Sequence, residues 1–306
     1  MRSLRPLLAG IALIVVAPIT ATAVTFSDVY FFGASSNDTG NAGPGDLPEP
    51  NRTILTGTFG YDPNRWTNNG GTIWTEPFAA DLGFSGASVA SSEGGNNYAF
   101  SGSRADELSI QISDLSANKG GAVSSTALYS IWAGGNDFLQ GQTAASTVTD
   151  IINAINSLSV LGAENFLILN FQDFSPLAPG TGPLAGIAPI PADADIWAND
   201  FNNGLASAIA GLSGVTVFEY DVASLLNAII TDPIGNGFPA GLAPCTLDAN
   251  CINGIGTENF VMMDHIHFMS GTHDIIAAGA LAAVPEPSTG LLLGLGLAVM
   301  GMRRTR

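Results

Sequence analysis

"VYFFGASSNDTGN", residues 29–41, passes from four large apolar side chains straight into nine small or polar residues, Gly33 to Asn41. A short, continuously apolar run bounded by turn formers reads as a strand buried on both faces. A turn would need only one or two of the residues that follow. Nine in a row form either a long loop or the end of a buried strand that presents a serine.

The same pattern recurs along the chain. Strand-like runs fall at 29–32, 98–100, 127–133 ("ALYSIWA"), 166–170 ("FLILN") and 215–220 ("VTVFEY"). Helix-like stretches alternate with them at 73–82, 108–115, 144–161, 194–212, 222–230 and 272–283. Alternating strands and helices predict a parallel sheet covered on both faces. The expected fold is therefore a three-layer α/β/α, flavodoxin-like domain with about five parallel strands. Ligands in such sheets bind beyond the carboxyl ends of the strands. The first three runs end in Gly33-Ala34-Ser35, Ser101-Gly102 and Gly134-Gly135-Asn136-Asp137. One sheet edge would thus receive a hydroxyl, a glycine backbone and a side-chain amide, the inventory of an acyl-transfer site. Each also has a plainer reading as a turn residue.

A serine nucleophile needs a base, and the only histidines are His265, His267 and His273, all within "MMDHIHFMSGTHDIIA". Histidine titrates near neutrality, which suits it to take the proton. Asp264 precedes His267 by three residues, so one short turn can bring its carboxylate onto the ring. On this reading His265 is solvated, His273 caps or packs in the last helix, and Asp137 orders its own loop. The alternative is a metal site built from these histidines with Asp264 and Asp274. It leaves Ser35, Gly102 and Asn136 without a role.

The ordered set of motifs resembles the SGNH (GDSL) hydrolases, over about residues 26–283. "FFGASSNDTGN" is similar to their F-G-D-S-L-S-D-T-G-N block, and "RWTNNGGTIWTEPFAADLG" to the R-F-S-N-G-x-x-W-x-x-x-L-A segment. "NYAFSGS" and "GGND" are similar to the second and third blocks, and "FLILNFQDFSPLAP" to N-x-P-D-x-x-x-x-P. "DHIHFMSGTHDIIA" resembles D-x-x-H-P-T-x-x-x-H-x-x-I-A. The resemblance implies a nucleophile at Ser35, an acid at Asp264, a base at His267, oxyanion donors at Gly102 and Asn136, and neither metal nor cofactor. Two departures stand out: Ala34 replaces the aspartate before the nucleophile, and Phe268-Met269 replaces Pro-Thr after the base.

Both chain ends read as addresses. Residues 1–23 hold Arg2 and Arg5, a short apolar core and Ala21-Thr22-Ala23, a secretory signal peptide rather than a span. Residues 284–306, with Pro285-Glu286-Pro287, an apolar run and Arg303-Arg304, resemble the PEP-CTERM sorting signal of Gram-negative bacteria. That resemblance implies exosortase as a partner, a transient inner-membrane anchor over residues 288–302, and delivery to the cell surface or extracellular matrix. A plain tail anchor is the alternative. The expected organisation is signal peptide 1–23, hydrolase domain 24–283 and sorting segment 284–306.

Between the addresses only Arg52, Arg65, Arg104 and Lys119 are basic, against 25 acids, a charge near −21. So acidic a chain excludes nucleic acid, whose binding rests on Lys and Arg. It also disfavours anionic lipid, leaving the C-terminal segment as the sole membrane contact. Cys245 and Cys251, the only cysteines, are expected to pair once exported. The expected function is a serine esterase or acylhydrolase acting on lipid, short-chain or O-acetyl glycan esters. The alternative is a catalytically impaired surface or matrix protein that keeps the fold to bind glycans, motivated by Ala34, Phe268 and Met269.

Overall fold

The structure, a computed structural model, describes residues 25–175 and 193–284. The expected leader, the sorting segment beyond Val284 and the Pro/Gly-rich loop from 176 to 192 lie outside the described residues.

Four parallel strands form the sheet: β1 (Val29–Gly33), β2 (Leu128–Trp132), β3 (Asn165–Leu169) and β4 (Thr216–Tyr220), in that order. Val29 faces Leu128, Leu128 faces Asn165, and Asn165 faces Thr216. β1 and β2 are buried along their whole length, as continuously apolar strands covered on both faces must be. β4 is the half-exposed edge.

The expected fifth strand, 98–100, is not a strand of this sheet. Its chain does lie along the free edge of β1: Phe31 N donates to Asn96 O, Tyr98 N to Phe31 O, and Phe100 N to Gly33 O. Regular pairing is broken there because Gly33 N, the next donor of β1 toward this segment, is taken by Gln111 Oε1. With this partial strand counted, the spatial order is the 2-1-3-4-5 of flavodoxin-like sheets.

Seven helices are described: α1 (Thr75–Asp81), α2 (Leu108–Asn118), α3 (Gly135–Leu139), α4 (Ala144–Leu161), α5 (Ala194–Ile209), α6 (Val222–Thr231) and α7 (Ser270–Ala283). Helices α2, α4 and α5 pack into one layer; α1 and α6 pack on α7 in the other. α4 runs over the predicted residues because its ends carry their own signals. Thr143 Oγ1 accepts from Ser146 N at 3.1 Å, and Gly162 closes it at φ +116°. None of the described helices is long and apolar enough to cross a membrane.

Beside the main core lies a second, small one: Leu55, Tyr61, Cys245, Cys251, Phe260, Met263 and Met269. The segment 261–269 straddles the two, with Met262 and Phe268 in the main core and Met263 and Met269 in the small one.

Candidate active site

The polar run after β1 is a clamp. Gly33 turns the chain at φ +138°, where a Cβ would collide with the Trp132 carbonyl. Gln111 grips this glycine at both ends, accepting from Gly33 N at 2.9 Å and donating to Gly33 O at 2.8 Å. Asn37 is fully buried; its amide nitrogen donates to Phe32 O at 2.7 Å, and its oxygen accepts from Trp74 Nε1 at 2.7 Å. Asp38, also fully buried, accepts from Gly40 N, Asn41 N and Ala42 N and from both the amide and hydroxyl of Ser101. The loop is therefore ordered without an aspartate at position 34, by a carboxylate four residues later.

Ser35 emerges from this clamp to meet the other end of the fold. His267 Nε2 stands 3.0 Å from Ser35 Oγ, and His267 Nδ1 stands 2.6 Å from Asp264 Oδ2. A carboxylate only accepts, so Nδ1 carries the ring proton and Nε2 is left to accept from the serine hydroxyl. The short turn 264–267 fixes the pair: Asp264 Oδ1 accepts from Ile266 N at 2.7 Å and from His267 N at 2.8 Å, while Met263 N donates to His267 O. Tyr61 OH also donates to Asp264 Oδ2. Burial alone would raise the Asp264 pKa, but the charge and hydrogen bond of His267, with Tyr61 and Ile266 N, outweigh it and hold the carboxyl below its ordinary value. Burial, then the Asp264 charge and bond, push the Tyr61 hydroxyl well above its ordinary value, so it remains a donor. The Trp66 ring stacks on His267 at 4.8 Å and 24°.

Asn136 stands with Ser35 and His267 around one cavity, whose wall also includes Trp132, Phe171 and Gln172. Its amide donates to Ser103 O at 2.9 Å. Gly102, at φ +85°, immediately precedes that residue but does not line the cavity. Asp137 does more than order its own turn: buried, it accepts from Ala105 N at 2.9 Å and so ties the 102–105 segment to the loop after β2. Burial raises its pKa, and the Ala105 bond partly offsets this.

His265 is buried, contrary to the solvated position expected. Strand-like alternation does not apply, because the chain here folds back on itself, with Met262 pairing antiparallel with Phe268. His273 lies in α7, edge-on to Phe268 at 6.0 Å. Burial, then the charge of His267, lowers its pKa to about 3. Among the described residues no three His, Cys, Asp or Glu side chains are placed to share a metal. Cys245 and Cys251 are joined in a disulfide. Their segment is bonded to the one that carries Asp264 and His267, Cys245 N to Met262 O and Thr246 N to Met263 O.

Tyr61, Trp66 and Trp74 reach the site on a segment braced by Arg65, which forks onto Glu76 at 2.7 Å through two nitrogens and onto Asp62 at 3.3 Å. Sequence reasoning assigned none of these residues to the site. The surplus of Asn, Asp and Thr after Ser35 was the available signal for the clamp.

The family model described as GDSL-like Lipase/Acylhydrolase matches residues 29–280, and the PEP-CTERM protein-sorting motif matches residues 283–306. Among solved structures, a lipolytic G-D-S-L family protein from Veillonella parvula is similar at 18% identity and TM-score 0.46, covering 83% of this chain and 96% of its own. LAE5, an alpha/beta hydrolase enzyme from the metagenome of Lake Arreo, is 13% identical at TM-score 0.46, with coverages of 87% and 98%. An extracellular lipase from Streptomyces rimosus is 16% identical at TM-score 0.37, with coverages of 84% and 97%. No curated protein matches the chain.

Proposed function

The chain belongs to the GDSL-like lipase/acylhydrolase family, and from that premise we propose that it is a serine esterase or acylhydrolase with Ser35 as nucleophile. Family membership makes it a hydrolase acting on esters; the roles of individual residues are our reading. His267 Nε2 takes the Ser35 proton as Oγ attacks the ester carbonyl. Asp264 holds the ring in the tautomer this needs and stabilises the imidazolium that forms. The Ser35 and Gly102 amides and the Asn136 side chain hold the oxyanion. His267 returns the proton to the departing alcohol, and water, activated by the same imidazole, releases the acid. No step calls on a metal or cofactor.

The observation that supports this reading is the continuous line of contacts Ser35–His267–Asp264. Its test is a fluorophosphonate probe with p-nitrophenyl acetate. Stoichiometric labelling of Ser35, and loss of both labelling and hydrolysis in Ser35→Ala, are expected. Hydrolysis undiminished in Ser35→Ala would refute it. The second reading, an impaired glycan binder, draws on Ala34 and on the Asn136 amide already engaged with Ser103 O. It predicts no labelling of folded protein.

The sorting motif indicates export and a surface location. We propose that residues 1–23 are removed as a leader, that 24–283 form the hydrolase domain, and that exosortase processes 284–306 after transient anchoring through 288–302. Intact mass of the surface-recovered protein tests both cleavages.

A further inference from the structure

The cavity beside Ser35 has a volume of about 50 Å³. At about 10–15 Å³ for each water-sized occupant, it has room for roughly three to five non-hydrogen atoms. The enclosed part of the cleft, which is open on one side, takes an acetyl group. Trp132, Leu139, Phe171, Phe174 and Ile266 give the wall its apolar character. Gln172 breaks the pattern. It is 2% exposed, and its Oε1 has no hydrogen-bond partner.

A buried amide oxygen without a partner costs stability and calls for a reason. Slack in the chain does not supply one, because the backbone is pinned on both sides. Asn202 accepts from Phe171 N at 2.9 Å and donates to Phe171 O at 2.8 Å, and Asn227 accepts from Asp173 N at 3.1 Å. The backbone that carries the amide is thus fixed at the wall of the reactive cavity, at the place where the resembling N-x-P-D pattern carries proline. Whichever way the amide is turned, it offers one acceptor and two donors.

We propose that Gln172 is the specificity-determining residue of this cleft and that it pairs with a hydroxyl on the alcohol side of a short-acyl ester; the inference rests on the hydrolase reading above. An acyl group small enough for the cavity is an alkyl stub with no donor, so the partner must come from the alcohol. A hydroxyl on the carbon next to the ester-bearing one is close enough to the scissile bond to reach the same wall. The alcohol is not an anion. Among the described residues Arg52, Arg65 and Arg104 are already paired with carboxylates, and Lys119 lies over the Tyr30 ring. The substrate class is therefore short-acyl esters of non-anionic polyols or sugars that keep a free neighbouring hydroxyl.

The test compares 2-hydroxyethyl acetate with propyl acetate, which differ by a hydroxyl for a methyl, in wild type, Gln172→Leu and Gln172→Met. Wild type is expected to favour the hydroxyl ester in kcat/KM by about tenfold to a hundredfold. Both variants should bring the ratio close to one. Removing an unpaired amide should leave Tm unchanged or raised. No preference in wild type, or a preference that survives both substitutions, overturns the inference while continued ester cleavage leaves the hydrolase reading standing. A lower Tm in both variants would show a structural role for the amide and also overturn it. If wild type cleaves neither ester nor p-nitrophenyl acetate and the probe leaves Ser35 unlabelled, the hydrolase reading itself fails and takes this inference with it.

Discussion

Tyr61 and His267 bond the same oxygen of Asp264, one through its hydroxyl and the other through Nδ1. The carboxylate is buried, yet every bond it accepts favours its charged form. Tyr61→Phe removes one charge-assisted bond and should destabilise the fold by about 2 kcal/mol. The carboxylate that orients the base is then held less firmly, so kcat should fall as well. Urea unfolding together with ester kinetics checks both effects.

Asn136→Ala should lower kcat by about 10²–10³-fold with little change in KM, the signature of a donor that acts on the oxyanion. Steady-state kinetics on p-nitrophenyl acetate decides it. Unchanged kcat would remove Asn136 from the oxyanion hole and restrict it to holding Ser103 O.

Asp38 accepts from five donors beside Ser35, the proposed nucleophile. Asp38→Ala strands several of them and should cost about 3 kcal/mol or more of stability. Ala34→Asp, which restores the family residue, should change kcat/KM by well under tenfold, because the loop is already ordered. A large gain in rate would show instead that the Asp38 clamp is an inadequate substitute.

His273 ties stability to pH. Its folded pKa is depressed to about 3 by burial and the nearby His267 charge, whereas an unfolded histidine titrates near 6.5. Between those values the unfolded chain holds a proton that the folded chain rejects, so stability falls as pH drops through this window. At pH 4.5 the loss from this residue should be on the order of 2 kcal/mol relative to pH 7.5. His273→Met should show a smaller drop when urea midpoints are compared at the two pH values.

Cys251→Ser opens a short loop and should cost about 2 kcal/mol in the chain-entropy model. The loss should also reach the chemistry, since the disulfide segment is bonded to residues 262 and 263. Parallel measurement of Tm and kcat in Cys251→Ser tests the link. A fall in Tm without any change in kcat would confine the disulfide to stability.

What could be read in the sequence was local. Ala144–Leu161 carries its own cap and stop, and the turn that brings Asp264 to His267 lies within four residues. What could not be read were partnerships made only by folding. Tyr61 meets Asp264 across 203 positions and Gln111 grips Gly33 across 78, and no spacing rule connects either pair. The partial fifth strand has the same origin, because Gly33 N donates to Gln111 instead of to the ladder. The burial of His265 followed from a turn that alternation along the chain cannot describe. Nothing in the sequence marks Gln172; only the folded chain buries its Oε1 without a partner.

Ser35 and His267 meet across a seam. Ser35 leaves the sheet, while the strip bearing Asp264 and His267 leans on the lesser nucleus that the cystine holds together. Oxidation after export therefore firms up the side that supplies the base. With both thiols reduced that half would lose its cross-link, so the order of the strip bearing Asp264 and His267 is tied to an oxidising compartment.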